Sequence, residues 1–295
     1  MTKQDVYEQV TERIVAALEA GTVPWHKPWK TLAGPPVNVR NGRPYRGINV
    51  FLLGFAGYSD PRWGTYKAIA EAGGQVRKGE KGTSIILWKP VKRKGEGGEL
   101  DGSSYMLLKQ YTVFNAEQAD GLPELERDEL REHEADERAE ALVAGYKAAG
   151  GPGVFHEYDR AFYRPSADLV GMPKPEQFES SESYYATLFH ELVHSTGHEK
   201  RTGRVTEWTT FGTDPYAKEE LVAEMGASML AGLAGLEVAG GEQSAAYIAH
   251  WLQRFKDDRK LVVQAAAAAQ KAADMIAGTT FEELEAHPAP ELAAA

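Results

Sequence analysis

Apolar residues recur at helical spacing over Lys3–Ala20, where Val6, Val10, Ile14, Val15 and Leu18 share one face and Gly21 supplies a stop. This predicts an opening amphipathic helix that caps a first domain. Pro24, Pro28, Pro35 and Pro36 then interrupt any periodicity, so the segment carrying Trp25 and Trp29 reads as irregular. Short helices are expected over Asn49–Gly57 and Thr65–Ala72, and strands over Thr83–Lys89 and Tyr105–Phe114, joined by a Lys/Gly/Glu-rich hairpin at 92–104.

Beyond this mixed unit the apolar pattern fades. Residues 124–140 are densely acidic, with Arg127, Arg131 and Arg138 at helical spacing, and read as a solvated helix connecting two domains. Short strands follow near Val154–Tyr158, Ala161–Arg164 and Asp168–Gly171. Helical periodicity then returns over Ser183–Thr196, Pro215–Ala234, Gln243–Lys260 and Val262–Ala277. The expected division is a domain over 1–120, a linker over 121–140, a second domain over 141–285 and a frayed tail over 286–295.

Composition narrows the chemistry. With 295 residues, 42% of them hydrophobic, the chain can bury two ordinary cores. It has no cysteine, which removes disulfides, thiolate nucleophiles and thiolate metal sites, so any metal must be held by imidazole and carboxylate. The polar N-terminus lacks a signal-type apolar core, and no stretch of 18 apolar residues follows, so a cytoplasmic protein without membrane partners is expected.

The formal charge of −10 is unevenly placed. Residues 1–120 carry 17 Lys/Arg against 12 Asp/Glu, and residues 121–295 carry 16 against 31. Within 25–94 the count is 14 basic to 3 acidic. There Trp25, Trp29, Tyr45, Trp63, Tyr66 and Trp88 are interleaved with cations, the pairing that single-stranded nucleic acid needs for base stacking and phosphate contacts. The DNA-binding candidates are Trp25, Lys27, Trp29, Lys30, Arg40, Arg43, Tyr45, Arg46, Arg77, Lys78 and Lys81. Trp63 and Trp88 read as core residues.

The sharpest chemical signal is His190-Glu191-Leu192-Val193-His194 in an apolar helical context. Histidines four apart share a helix face and can reach one ion, with Glu191 beside it as general base. A chain of this composition shows the pattern by chance in roughly two of a hundred cases. A third histidine in the His-x-x-Gly-x-x-His extension is excluded, because Lys200 stands in its place. His198 has the wrong register. Glu220, in Glu220-Leu-Val-Ala-Glu224 on the following helix, is the better third ligand, with Glu224 one turn later accepting from a ligand imidazole. These two roles are exchangeable at this level, and Glu219 reads as an ordinary surface acid. Three protein ligands leave a position for water, the catalytic arrangement for Zn2+, with Mn2+ or another divalent ion as an alternative.

Several longer stretches carry a family resemblance. Pro24-Trp-His-Lys-Pro-Trp29, Asn41-Gly-Arg-Pro-Tyr-Arg-Gly-Ile-Asn49, Gly74-Gln-Val-Arg-Lys-Gly-Glu-Lys-Gly-Thr83 and Val113-Phe-Asn-Ala-Glu-Gln118 resemble the single-stranded-DNA-binding domain of ArdC-type antirestriction proteins, a domain also found on plasmid primases. The second half, through His190–His194, Thr196-Gly-His198 and Glu219–Glu224, resembles the zincin-like metallopeptidase domain of the same proteins. Ser195 stands where relatives often carry tryptophan, a change expected in the pocket wall.

The resemblance implies an α+β protein of two domains, the second a gluzincin with a small antiparallel sheet and an HExxH helix. It also implies a conjugative plasmid or phage setting in which incoming DNA is protected from restriction. Single-stranded DNA and a protein substrate, such as a restriction-system component, are the implied partners. Two rival readings remain: a regulatory protease that cleaves a repressor or host protein, and a DNA-binding protein whose metal is structural. Retention of Glu191 favours a competent site.

Overall fold

In the computed structural model, which describes residues 5–25, 34–94, 100–125, 132–205, 214–236 and 245–279, helix α1 (Val6–Glu19) starts at Asp5 and ends before Gly21, whose φ is +79°. The Asp5 carboxylate accepts the Tyr7 N–H at 3.3 Å as the N-cap. Its buried stripe is Val10, Thr11, Ile14 and Leu18. That stripe does more than cap its own half. It faces α7 (Ala245–Asp257) and α8 (Leu261–Ala277), and the Thr11 hydroxyl donates to the Arg259 carbonyl at 2.6 Å.

The first sheet has the order β1 (Val37–Asn38), β2 (Arg62–Gly64), β5 (Leu100–Asn115), β4 (Thr83–Lys94), with β1 and β2 parallel and the other pairs antiparallel. The β4–β5 hairpin is longer than the expected strands, because pairing runs from Thr83↔Val113 to Lys94↔Leu100 through a register shift after Lys92. Helix α2 (Ile48–Gly54) is wholly buried, and the Asn49 amide is fixed to the Ile86 backbone on β4, accepting at 2.9 Å and donating at 2.6 Å. Helix α3 (Tyr66–Glu71) is capped by Thr65. Strands β3 (Gln75–Val76) and β6 (Ala119–Asp120) form a separate antiparallel pair.

Among the described residues, the acidic stretch is not wholly solvated. Residues 132–140 open α4 (Glu132–Ala148), whose Ala135, Ala139 and Tyr146 are buried, with Leu142 and Val143 packed against the same core; residues 126–131 lie outside the described residues. Two of the buried positions are alanines, so charge density concealed the apolar stripe. Through Ala135 and Ala139 the expected 121–140 linker shares the core of the second half. Strands β7 (Gly153–Phe155), β8 (Phe162–Arg164) and β9 (Leu169–Gly171) form a sheet in the order β7–β9–β8, with β7 parallel and β8 antiparallel to β9. This small sheet is mixed, where an antiparallel one was expected, because the connection through Tyr158 returns the chain to the far side of the central strand.

Helices α5 (Ser181–Thr196), α6 (Asp214–Ala234) and α8 form the centre of the second half. Gly226 on α6 lies so close to α5 that a Cβ would stand 2.7 Å from Val193 Cγ2. Alanines 265, 266, 269, 272 and 273 of α8 are likewise buried, permitting close helix approach.

The architecture is α+β in two domains, but one continuous apolar cluster joins them: Val10, Ile14, Leu18, Phe51 and Leu52 belong with Leu188, Phe189, Leu221 and Val262. Polar contacts reinforce it. Arg46 pairs with Asp274, and the Gly47 N–H donates to Gln270 Oε1 at 2.8 Å. Among the described residues no helix is long and apolar enough to cross a membrane. The expected tail at 286–295 lies outside the described residues.

Candidate metal centre

Ser180 caps α5 by accepting the Ser183 N–H at 3.2 Å, and the burial of Leu188, Phe189, Leu192 and Val193 fixes the helix's rotation. His190 and His194 then emerge on one face, with ring centroids 4.7 Å apart and planes at 83°. Their Nε2 atoms are 3.1 Å apart. From α6, Glu220 places Oε2 3.5 Å from His190 Nε2 and Oε1 3.5 Å from His194 Nε2. These three side chains form the candidate metal cluster among the described residues.

The triangle fits a divalent ion. Ligands about 2.05 Å from a tetrahedral zinc lie about 3.3 Å from one another. Two imidazole nitrogens and a carboxylate oxygen also admit other first-row divalent ions. Two facing imidazole lone pairs need a positive charge between them. Consistently, His190 holds a proton more tightly than usual: burial opposes the charge, but the Glu220 hydrogen bond and the charges of Glu191, Glu220 and Glu224 outweigh it.

The carboxylate that meets the far side of an imidazole is Glu219. Its Oε1 lies 3.3 Å from His194 Nδ1, and its side chain is only 12% exposed, so it is not the surface acid expected. Arg204, in the turn after α5, grips it through Nε–Oε2 at 2.9 Å and Nη2–Oε1 at 2.6 Å. Burial pushes the Glu219 carboxyl up, yet Arg204 and His194 hold it below the usual range. An ionised Glu219 accepting from Nδ1 leaves the His194 Nε2 lone pair for a metal. Gly226, seven residues along α6 and so on the same face as Glu219, packs against Val193 of α5.

Glu224 has a different surrounding from the one expected. Its Oε2 accepts from Trp25 Nε1 at 2.7 Å and from the Tyr247 hydroxyl. The neighbour on the other side of Glu220 is Tyr216, one turn earlier on α6, whose hydroxyl bonds Glu220 and is pushed up to about 12 by burial and by the Glu220 charge. Tyr216 was not singled out from the sequence, although its four-residue spacing from Glu220 was a usable signal. Glu191 is partly buried, and its charge acts on both His190 and Tyr216. His198 is buried in the turn after α5, where its Nδ1 accepts the Lys200 N–H at 3.2 Å. Ser195 is fully buried and bonds Tyr146 of α4 at 3.0 Å.

The DNA-binding candidates divide sharply. Trp25 is 1% exposed, edge-on to Trp251 and Phe255, and is a core residue; its indole fills a site that only the fold creates. The Tyr45 hydroxyl, pushed up to about 12 by burial, donates to the Trp63 carbonyl at 3.3 Å. Trp63 is core, as expected. Arg46 is held by Asp274, and Arg43 has its Nε buried. Arg40 pairs with Glu71 at 3.2 Å, and Arg77 with Glu80 and Asp120 at 3.0 and 3.3 Å. Lys78 and Lys81 are exposed. Lys27, Trp29, Lys30 and the Trp88 side chain lie outside the described residues.

Comparison with known proteins places both halves. Residues 4–114 match the N-terminal domain of anti-restriction factor ArdC, and residues 137–268 match the zincin-like metallopeptidase family. A DNA primase TraC from Escherichia coli is 42% identical over 93% of this chain, which spans 27% of the primase. The metal-free crystal structure of antirestriction protein ArdC from plasmid R388 superposes with a TM-score of 0.75 at 41% identity, covering 96% of this chain and 98% of that one. The Mn(II)-bound structure of the same protein gives 0.72 at 40% identity, covering 96% and 99%. With two domain matches in order and near-complete mutual coverage, the chain belongs to the ArdC family of antirestriction proteins.

Proposed function

We propose that this antirestriction protein is a divalent-metal peptidase, most suited to zinc, that acts in the cytoplasm while associated with single-stranded DNA. The observation that carries it is the convergence of His190, His194 and Glu220 with Glu191 next to the first histidine. When bound, the ion supplies Lewis acidity toward a peptide carbonyl and lowers the pKa of a water to about 7. Glu191 would take a proton from the attacking water and deliver it to the departing amine. Glu219 and Arg204 hold His194 in the required tautomer. Tyr216 restrains the Glu220 carboxylate. Strand β8, at a sheet edge against α5, offers backbone groups with which an extended peptide can pair.

Its substrate, on this reading, is a protein of the host restriction system, and DNA binding by the N-terminal domain delivers the enzyme to it. Transfer of unmodified DNA into a restricting host tests the proposal. Protection should be lost in Glu191→Ala while metal content is retained. Full protection by a metal-loaded Glu191→Ala protein would show that shielding of DNA, and not hydrolysis, is the activity.

A further inference from the structure

With Trp25, Tyr45 and Trp63 committed to packing, the base-stacking surface of the N-terminal half must lie elsewhere. Tyr66, the first residue of α3, is 52% exposed and is the most exposed of the large hydrophobic residues among those described. Its exposure is not that of a loose surface side chain. Thr65 caps the helix beneath it, Gln75 Nε2 donates to its hydroxyl, and its ring stands edge-on to Phe114 at 6.4 Å and 81°.

The turn at Lys78–Gly82 runs against the same aromatic pair. A Cβ on Gly82 would stand 3.0 Å from Phe114 Cζ and 2.3 Å from Thr112 Cγ2, so the backbone beside Lys81 lies on Phe114. The turn is held in place by Gln118, which donates to the Lys81 carbonyl and to Glu80 Oε2, each at 3.0 Å. Arg77 neutralises Glu80. Lys78 and Lys81 are exposed, and neither forms an ion pair among the described residues. A fixed aromatic face beside a turn that carries two exposed lysines is the arrangement that recognises a base and its flanking phosphates without reading sequence.

We propose that Tyr66, backed by Phe114, is a base-stacking platform for single-stranded DNA, with Lys78 and Lys81 contacting the phosphates. The inference rests on the single-strand-binding part of the proposed function and assigns it a surface. Tyr66 is half exposed and belongs to none of the buried apolar clusters, so removing its ring spares the core and the metal centre.

The test is a salt-dependent titration of the full-length, zinc-loaded protein with a labelled oligothymidylate and with a duplex of equal length. Tyr66→Leu, which keeps an apolar side chain but no ring, should weaken single-strand binding about 5- to 150-fold, whereas Tyr66→Phe should bind as wild type. The Lys78→Ala/Lys81→Ala double variant should lower the slope of log affinity against log salt by about 1.4, from about 0.7 per lost phosphate contact. Unchanged single-strand affinity in Tyr66→Leu, with wild type binding well, would overturn the platform while leaving the function intact. An equal loss on duplex would overturn stacking as its basis. A wild-type protein that binds no oligonucleotide at any salt would defeat both.

Discussion

Trp25 Nε1 donates to Glu224 Oε2 at 2.7 Å, across 199 positions of sequence, and so ties the N-terminal half to the helix that carries Glu220. The Tyr247 hydroxyl shares that carboxylate and approaches the indole nitrogen at 3.1 Å. Burial and the Glu224 charge both raise the tyrosine's affinity for its proton, so it remains a donor. The contact makes Trp25 a structural joint between the two halves.

Trp25→Ala should therefore act on stability. Emptying this site should cost about 3–5 kcal/mol, read by chemical denaturation, as for other buried tryptophans. Trp25→Phe retains much of the packing but withdraws a charge-assisted hydrogen bond, with an expected cost of about 1.5–3 kcal/mol. Weaker oligonucleotide binding by a Trp25→Ala protein with wild-type stability would contradict this assignment.

The three glutamates of α6 should separate on metal analysis. Glu220→Ala leaves two imidazoles and should lose most bound metal. Glu219→Gln keeps the ligands but weakens the orientation of His194, and should reduce metal affinity about 10- to 100-fold. Glu224→Gln should retain metal and lower the melting temperature through its Trp25 and Tyr247 contacts. Metal content and thermal denaturation of the same preparations distinguish the three; an empty Glu224→Gln protein of normal stability would make Glu224 a ligand.

Gly226→Ala tests how the two helices bring the site together. The added methyl would meet Val193 at 2.7 Å, and the resulting strain should destabilise the protein by about 1–3 kcal/mol. Because the displaced helix carries Glu219 and Glu220, metal affinity should fall as well. Isothermal titration of the variant with zinc at a temperature where it remains folded provides the measurement.

Acid stability should depend on Asp168. Burial raises its pKa, but hydrogen bonds from Arg201 and Tyr163 bring it below the usual carboxylate range. A depressed folded-state pKa contributes stability above the unfolded value of about 3.9, and that contribution disappears as pH falls through the lower folded value. Asp168→Asn, which tolerates the left-handed φ of +48°, should cost about 1–3 kcal/mol at neutral pH and flatten the acid limb of the stability curve below pH about 4. An unaltered acid limb would remove Arg201–Asp168 from the account.

The sequence alone places His190 and His194 on one face of α5 with Glu191 beside them, because four-residue spacing and the flanking apolar residues are local properties of a helix. It also marked α1, the β4–β5 hairpin and the glutamate-rich helix, all of which depend on periodicity within a single segment. What it could not decide is which distant surface each segment meets. Trp25 in a proline-rich stretch looks exposed until α6 and α7 close over it, and the alanines of α4 look polar in company until α5, α6 and α8 bury them. Between Glu219 and Glu224, it is the packing of α6 against α5 that sets Glu219 beside His194. A side chain's rotation about its own helix is written in neighbouring residues; what waits at the end of it depends on packing between helices, and that is fixed only when the whole chain has folded.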